Sequence, residues 1–135
     1  MSPRPTCSDP PCGETRCGNR CCSELSRTEQ QRLRDILDRI ALVREYRPLL
    51  AGEETTASAA RDAIFYSFVV IGEAAAALTE ELQARESRIP WSGIVGLRNV
   101  LAHRYFEADS DLIVEIIRDE LEPLDLAVRR LLDDN

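Results

Sequence analysis

The sequence predicts an all-α protein, an antiparallel bundle of four to five helices. Three observations support this class. Alanine, leucine, arginine and glutamate, which favour helices, dominate the composition. Apolar residues recur at helical spacing over most of the chain, and no stretch shows the apolar–polar alternation of a strand. The turn signals predict short loops between the helices, and short loops join helices that pack antiparallel in a bundle.

The chain of 135 residues divides into a tail and one domain. Residues 1–25 are rich in proline and hold no large apolar residue between Met1 and Leu25. We expect this Cys/Pro-rich segment to be a disordered N-terminal tail, and residues 26–135 to form the helical domain.

All five cysteines lie in the tail. Thiolates bind zinc, but no pair has the two-residue gap of a zinc knuckle, and the tail contains no histidine. We therefore expect no metal site and no cofactor, with a zinc site or a redox switch in the tail as the weaker alternative. The residues concerned are Cys7, Cys12, Cys17, Cys21 and Cys22.

The first helix is predicted to begin at Ser26. Ser26 and Glu29 have the spacing of a capping box, in which each residue bonds the backbone N–H of the other. Apolar residues then recur at helical spacing to Val43, and Pro48 is expected to end the helix.

The second helix is predicted to begin near Thr56 or Ser58 and to carry an apolar stripe as far as Leu82. It is apolar on more than one side, which is typical of the central, most buried helix. Gly72 lies inside it, at a cost of roughly 1 kcal/mol relative to alanine. Close approach of another helix would explain this glycine.

A third helix is predicted to open at Pro90, a favoured first helical position. Trp91 is expected to be a packing anchor at its start, and Ile94, Leu97 and Leu101 form its apolar line.

A fourth helix is predicted to follow a cap at Asp109 or Ser110 and to carry apolar residues to Leu132. Pro123 falls inside this pattern, so it should kink the helix or split it in two.

The charge balance limits the partners. The net charge is −7, and all 17 basic residues are arginine. An acidic protein binds nucleic acid poorly in general, so a nucleic-acid role would need a local arginine-lined site or a partner.

No apolar run is long enough to span a bilayer, and no signal-peptide pattern opens the chain. A cytoplasmic protein without membrane contact is expected.

The single histidine of the chain, His103, lies five residues after Arg98 and two before Tyr105. Histidine is the default proton shuttle near neutral pH, and arginine suits a phosphate because its planar fork binds an oxyanion at two points. On an ideal helix Arg98 and His103 would lie about 140° and about 7.5 Å apart. They converge if the helix ends or distorts near Ala102, or if another chain completes the pocket. We favour the second chain, with some distortion of the helix end.

If the phosphate belongs to RNA, the chemistry of RNA cleavage also favours a site built from two chains. Without a metal, cleavage needs a base for the ribose 2′-hydroxyl and an acid for the leaving 5′-oxygen. One chain has one imidazole, whereas a symmetric homodimer has two. Arg98 from both subunits would stabilise the charge that grows on the phosphate.

The spacing Arg98-x4-His103-x-Tyr105 resembles the signature of the HEPN superfamily. Two flanking stretches are similar to its HepT-like branch: Ile71-Gly72-Glu73-Ala74-Ala75, and the segment from Ile89-Pro90-Trp91 through Gly96-Leu97-Arg98-Asn99 to Tyr105-Phe106. The similarity covers the chain from about residue 28 to its end, and the cysteine-rich tail has no counterpart in it.

The resemblance implies a HEPN-type helical bundle and a homodimer whose two signatures line one cleft. It also implies a metal-independent endoribonuclease that leaves a 2′,3′-cyclic phosphate, the toxin of a type VII HepT–MNT toxin–antitoxin pair. Arg98 and His103 would be the catalytic pair. Asn99 and Tyr105 would be supporting contacts to the RNA substrate.

The resemblance further implies a partner, an MNT-type nucleotidyltransferase antitoxin that transfers AMP to Tyr105. The added phosphate charge beside Arg98 would compete with the substrate.

Other interpretations remain open. The chain could be a non-catalytic HEPN subunit that only partners a nucleotidyltransferase, or a helical regulator whose cysteine tail senses metal or oxidation. His103 could be structural, Arg98 could pair with an acidic residue such as Glu73, and Tyr105 could be a core residue.

Overall fold

A computed structural model describes residues 26–104 and 110–134. Within these ranges it contains helices and no strand, so the predicted all-α helical bundle is confirmed. The tail, with its predicted disorder and its cysteines, lies outside the described residues, as do Tyr105 and Asp109. The helices are α1 (Arg27–Tyr46), a 3-10 helix (Arg47–Ala51), α2 (Glu54–Ala76), α3 (Glu80–Ala84), α4 (Trp91–Arg104), α5 (Ser110–Asp119) and α6 (Leu121–Asp133).

Helix α1 begins with the predicted capping box. The backbone N–H of Glu29 donates to Ser26 Oγ (3.1 Å), and the N–H of Ser26 donates to Glu29 Oε2 (3.2 Å). The α-helix stops at Tyr46, and the chain continues as a 3-10 helix that includes Pro48. The buried face of α1 comprises Leu33, Ile36, Ile40 and Val43.

Helix α2 is the centre of the bundle, as predicted, because it packs against α1, α4 and the 3-10 helix. It begins at Glu54, slightly earlier than the sequence suggested. The prediction that one helix continues to Leu82 was wrong, since α2 ends at Ala76. Leu82 belongs to the short helix α3, which Thr79 caps by accepting the backbone N–H of Leu82 on its Oγ1 (3.2 Å).

Trp91 anchors the start of α4, as predicted. Its side chain is buried, and its indole N–H donates to the carbonyl oxygens of Gln83 (2.9 Å) and Glu86 (3.0 Å). The ring therefore ties α4 to the segment around α3.

Pro123 splits the predicted fourth helix into α5 and α6, as one of the two expected outcomes. It lies in the first turn of α6, where a missing backbone N–H costs little. The predicted count of four to five helices rises to six within the described ranges because of this split and because α3 is separate from α2.

Helix α6 packs against α1, and a buried carboxylate joins the two. The side chain of Asp125 is only 7% exposed. It accepts from Arg44 Nη1 of α1 (3.2 Å) and from Arg129 Nε of its own helix (3.1 Å). Both acceptor oxygens are thus paired, as a buried charge requires.

None of the helices in the described ranges is long and apolar enough to cross a membrane.

Candidate functional site

Arg98 lies in the middle of α4, and its side chain is 41% exposed. It forms an ion pair with Glu73 of α2. The packing role that the sequence left open for Arg98 is therefore real, and it does not remove the side chain from solvent. The neighbouring Asn99 is exposed.

Helices α2 and α4 come close at Gly72, directly before Glu73. A Cβ atom on Gly72 would lie 3.2 Å from the carbonyl oxygen of Ile94 and 3.8 Å from the Cβ of Arg98. The predicted close approach is confirmed, and alanine would be too tight at this crossing. The absent side chain lets the backbone of α4 lie where Glu73 reaches Arg98.

This ion pair is too exposed to contribute much to stability. Exposed pairs are worth about 0–1 kcal/mol, and the Glu73 side chain is 56% exposed. Its consequence is positional, since the carboxylate restricts where the guanidinium of Arg98 can point. A guanidinium carries five N–H donors and a carboxylate engages two of them, so Arg98 retains donors for a second anion.

His103 lies in the last turn of α4, whose backbone remains helical through Ala102 to Arg104. An end of the helix near Ala102 was one of the two ways in which His103 could come close to Arg98. The structure does not show such an end, because the helix continues past Ala102. The offset of about 140° between the two positions therefore persists in the backbone. The side chain of His103 and the whole of Tyr105 fall outside the described part of the structure, so their roles stay predictions.

A second arginine contact lies on α2, and no sequence pattern pointed to it. The guanidinium carbon of Arg39 on α1 lies 5.1 Å from the ring centroid of Tyr66 on α2. Tyr66 is 56% exposed, the most exposed aromatic side chain in the described ranges. The only signal in the sequence is that Tyr66 falls outside the buried stripe formed by Ile64 and Phe68.

Among the side chains that the structure describes within residues 26–104 and 110–134, no three from histidine, cysteine, aspartate or glutamate come together in a way that could hold a metal ion. The five cysteines of the tail lie beyond these ranges.

A family model described as "Ribonuclease HepT-like" matches residues 36–131. The chain is 36% identical over 66 residues to a "Putative RNase" of Caldanaerobacter subterraneus, an alignment that covers 49% of this chain and 59% of that protein. It is 33% identical over 61 residues to a "Putative RNase" of Methanocaldococcus jannaschii, covering 45% of this chain and 56% of that protein. A "Probable ribonuclease HepT" of Thermococcus cleftensis is 23% identical over 101 residues, covering 74% and 92%.

The chain spans less than two thirds of the length of the first two of these relatives. No solved structure matches it. The family model, however, covers most of the chain, from α1 to α6, and includes the α2–α4 crossing with Gly72, Glu73 and Arg98. The protein therefore belongs to the HepT-like ribonuclease family, of HEPN type.

Proposed function

We propose that this protein is a metal-independent endoribonuclease that cleaves RNA in the cytoplasm at a site shared by two subunits of a homodimer. The observation that carries the proposal is the position of Arg98. Its guanidinium lies half exposed on α4, the helix that also bears the single histidine, and it retains donors for a phosphate. The family and the ribonuclease names of the relatives agree with this chemistry.

In the proposed reaction, one His103 imidazole takes the proton of a ribose 2′-hydroxyl. The 2′-oxygen then attacks the adjacent phosphorus, and the bond from phosphorus to the 5′-oxygen breaks. The protonated imidazole of the second subunit gives its proton to that 5′-oxygen. The products are a 2′,3′-cyclic phosphate and a free 5′-hydroxyl, and the Arg98 guanidinium groups stabilise the charge on the phosphoryl oxygens.

The count of imidazoles and the geometry of α4 support the proposed dimer. Each chain contributes one histidine, and the regular backbone of α4 keeps positions 98 and 103 on different sides of the helix. Val95 and Leu97 of α4 pack against the core but are only half-buried, so part of their apolar surface is left uncovered. A second subunit against α4 would cover this surface and bring in the missing groups.

The proposed partner is an MNT-type nucleotidyltransferase antitoxin that transfers AMP to Tyr105, with the present protein as the toxin of the pair. An adenylylated tyrosine two residues beyond His103 would place a phosphate near the guanidinium that binds the substrate.

A non-catalytic binding subunit is the alternative. Two observations favour it: the charge of Arg98 is compensated by Glu73, and the chain as a whole carries a net charge of −7. Both weaken attraction for a polyanion.

Incubation of the purified protein with end-labelled RNA in excess chelator separates the two functions. We expect cleavage with cyclic-phosphate ends. His103→Ala should abolish it, and Arg98→Ala should raise the barrier by about 2–4 kcal/mol. Arg34→Ala is the matched control, because Arg34 is an exposed arginine on α1. If the wild-type protein leaves the RNA intact, the non-catalytic binding subunit is the remaining function. Full activity of His103→Ala would show that histidine takes no part in the mechanism.

A further inference from the structure

Tyr66 and Arg39 form a surface feature that the proposed chemistry does not use. Tyr66 adds little to the core, since more than half of its surface faces solvent. Arg39 holds the ring through a cation–π contact with 5.1 Å between its guanidinium carbon and the ring centroid. A planar ring has two faces, and one guanidinium covers one of them. The exposed remainder is a fixed aromatic surface beside a positive charge.

This surface is aligned with the Arg98 site. Tyr66 and Glu73 are seven residues apart on α2, which is about 20° short of two full turns and about 10.5 Å along the axis. They therefore share one face of the helix. Glu73 pairs with Arg98 at one end of this face, and Tyr66 meets Arg39 at the other. Two arginines from two different helices thus border the same face of α2.

We infer that Tyr66, held by Arg39, is a subsite on which a base of single-stranded RNA stacks while the scissile phosphate lies at Arg98. The inference rests on the proposed ribonuclease function. The rise of about 10.5 Å along α2 from Tyr66 to Glu73, the ion-pair partner of Arg98, corresponds to roughly three base steps of a stacked strand at about 3.4 Å per step. The bound base would thus belong to a nucleotide near the cleavage point on the same strand.

The charge of the protein favours this kind of contact. With a net charge of −7, the chain has little general attraction for phosphate, so affinity must come from local contacts. Stacking of a base on an aromatic ring needs no net positive charge, and it tolerates every base. Arg39 adds a cation within reach of the sugar–phosphate chain.

The test measures RNA affinity in a cleavage-deficient background. A short fluorescent single-stranded RNA is titrated into His103→Ala and into the same protein with Tyr66→Ala. We expect Tyr66→Ala to weaken binding by roughly 5- to 150-fold, whereas Tyr66→Phe and Tyr66→Trp keep an affinity close to that of the parent. Because stacking is not ionic, Tyr66→Ala should leave the salt dependence of binding unchanged. Arg39→Ala should reduce the slope of that dependence by about one.

Matched controls come from other faces of the molecule. Leu126→Ala removes an exposed apolar side chain from α6, and Arg34→Ala removes an arginine from another position of α1. Neither should change RNA affinity as the Tyr66 and Arg39 variants do. Sedimentation equilibrium on every variant reports whether the oligomeric state has changed.

Two results would overturn the subsite alone. One is undiminished RNA binding by Tyr66→Ala when the wild-type protein cleaves RNA. The other is weaker binding that accompanies dissociation of the oligomer, which would make Tyr66 part of a protein interface. No RNA binding by the parent would overturn the subsite together with the proposed function.

Discussion

Glu73 of α2 forms an ion pair with Arg98 of α4 directly beside Gly72, where the two helices come closest. The pair joins two properties that the family signature leaves separate. One is a helix crossing that is tight for any residue larger than glycine, and the other is the direction of the guanidinium that we assign to phosphate binding. The crossing therefore has a consequence for the chemistry as well as for packing.

Glu73→Ala should lower kcat while leaving the free energy of unfolding within about 1 kcal/mol of wild type. The reason is that the exposed carboxylate adds little stability but restricts Arg98. Glu73→Gln should keep most of kcat, because the amide oxygen still accepts a hydrogen bond from the guanidinium. Single-turnover cleavage and urea unfolding measure the two quantities. Equal loss of kcat in both variants would show that negative charge, rather than position, is what Glu73 provides.

Gly72→Ala should destabilise the protein. Alanine gains about 1 kcal/mol of helix propensity, but overpacking costs about 1–3 kcal/mol. The atom that the new Cβ would meet at 3.2 Å is the backbone carbonyl oxygen of Ile94, which cannot rotate away. We expect a net loss of up to about 2 kcal/mol, and reduced cleavage because α4 must shift.

Gly96→Ala is the control for that substitution, since its Cβ would meet no atom of the described residues within 4 Å. It should stabilise the helix by about 0.5–1 kcal/mol. Thermal unfolding of the two variants side by side gives the comparison. If both Gly72→Ala and Gly96→Ala stabilise the protein, the backbone of α4 can move to make room for a Cβ at the crossing.

The link between Glu86 and Arg130 should make stability depend on pH. Arg130 donates from Nε to Glu86 Oε1 (2.8 Å) and from Nη2 to Oε2 (3.0 Å), and the Glu86 side chain is 13% exposed. These hydrogen bonds lower the pKa of Glu86, partial burial opposes them, and the charges of Arg130, Arg88 and Arg85 add to the lowering.

A carboxyl group whose pKa is lower in the folded state stabilises the fold above its unfolded pKa. The contribution is lost as pH falls through the folded value. At neutral pH the wild-type protein should therefore have a higher melting temperature than Glu86→Gln. This difference in melting temperature should shrink below about pH 4.3 and then vanish. Melting temperatures across acidic pH test this, with Glu45→Gln as a control for an exposed carboxyl. A difference that persists at the lowest pH would assign it to packing.

Tyr105→Phe should keep RNA cleavage measurable and should prevent modification by the nucleotidyltransferase partner. The phenol oxygen is the proposed acceptor of AMP, and phenylalanine lacks it. Intact mass spectrometry of the protein co-expressed with its partner is the measurement. An AMP adduct on Tyr105→Phe would place the modification elsewhere, for example on Tyr66, whose side chain is 56% exposed.

The parts of the fold that were predictable depend on local chemistry. The capping box at Ser26, the glycine at the α2–α4 crossing and the split near Pro123 each follow from what one residue type can or cannot do. The end of α2 was not predictable in this way. Its alanine-rich last turn favours helix, and the helix stops at Ala76 because tertiary contacts favour a break. Gln83 Nε2 donates to the carbonyl oxygen of Ala75 (3.0 Å), and Leu78 turns into the core.

Part of the site was predictable for the same reason. The spacing Arg98-x4-His103 singled out Arg98 as an arginine suited to a phosphate, and Glu73 was offered as an acidic residue with which it could pair. The contact between Arg39 and Tyr66 depends on the rotation of α1 about its own axis relative to α2, which no local pattern encodes. The roles of His103, Asn99 and Tyr105 remain predictions.

Mixing subunits tests whether two imidazoles act on one phosphate. Wild type and His103→Ala are combined at constant total protein under conditions that exchange subunits, and cleavage is measured against the wild-type fraction. If each active site needs one His103 from each subunit, only dimers with two wild-type chains cleave, and the rate falls as the square of that fraction. A site complete within one chain gives a linear fall. Leu126→Ala mixed with wild type is the control and should leave the rate unchanged, because Leu126 lies on the exposed face of α6. A linear fall for the His103 mixture, with exchange shown by native mass spectrometry, would contradict the shared site and require a second proton carrier within the same chain.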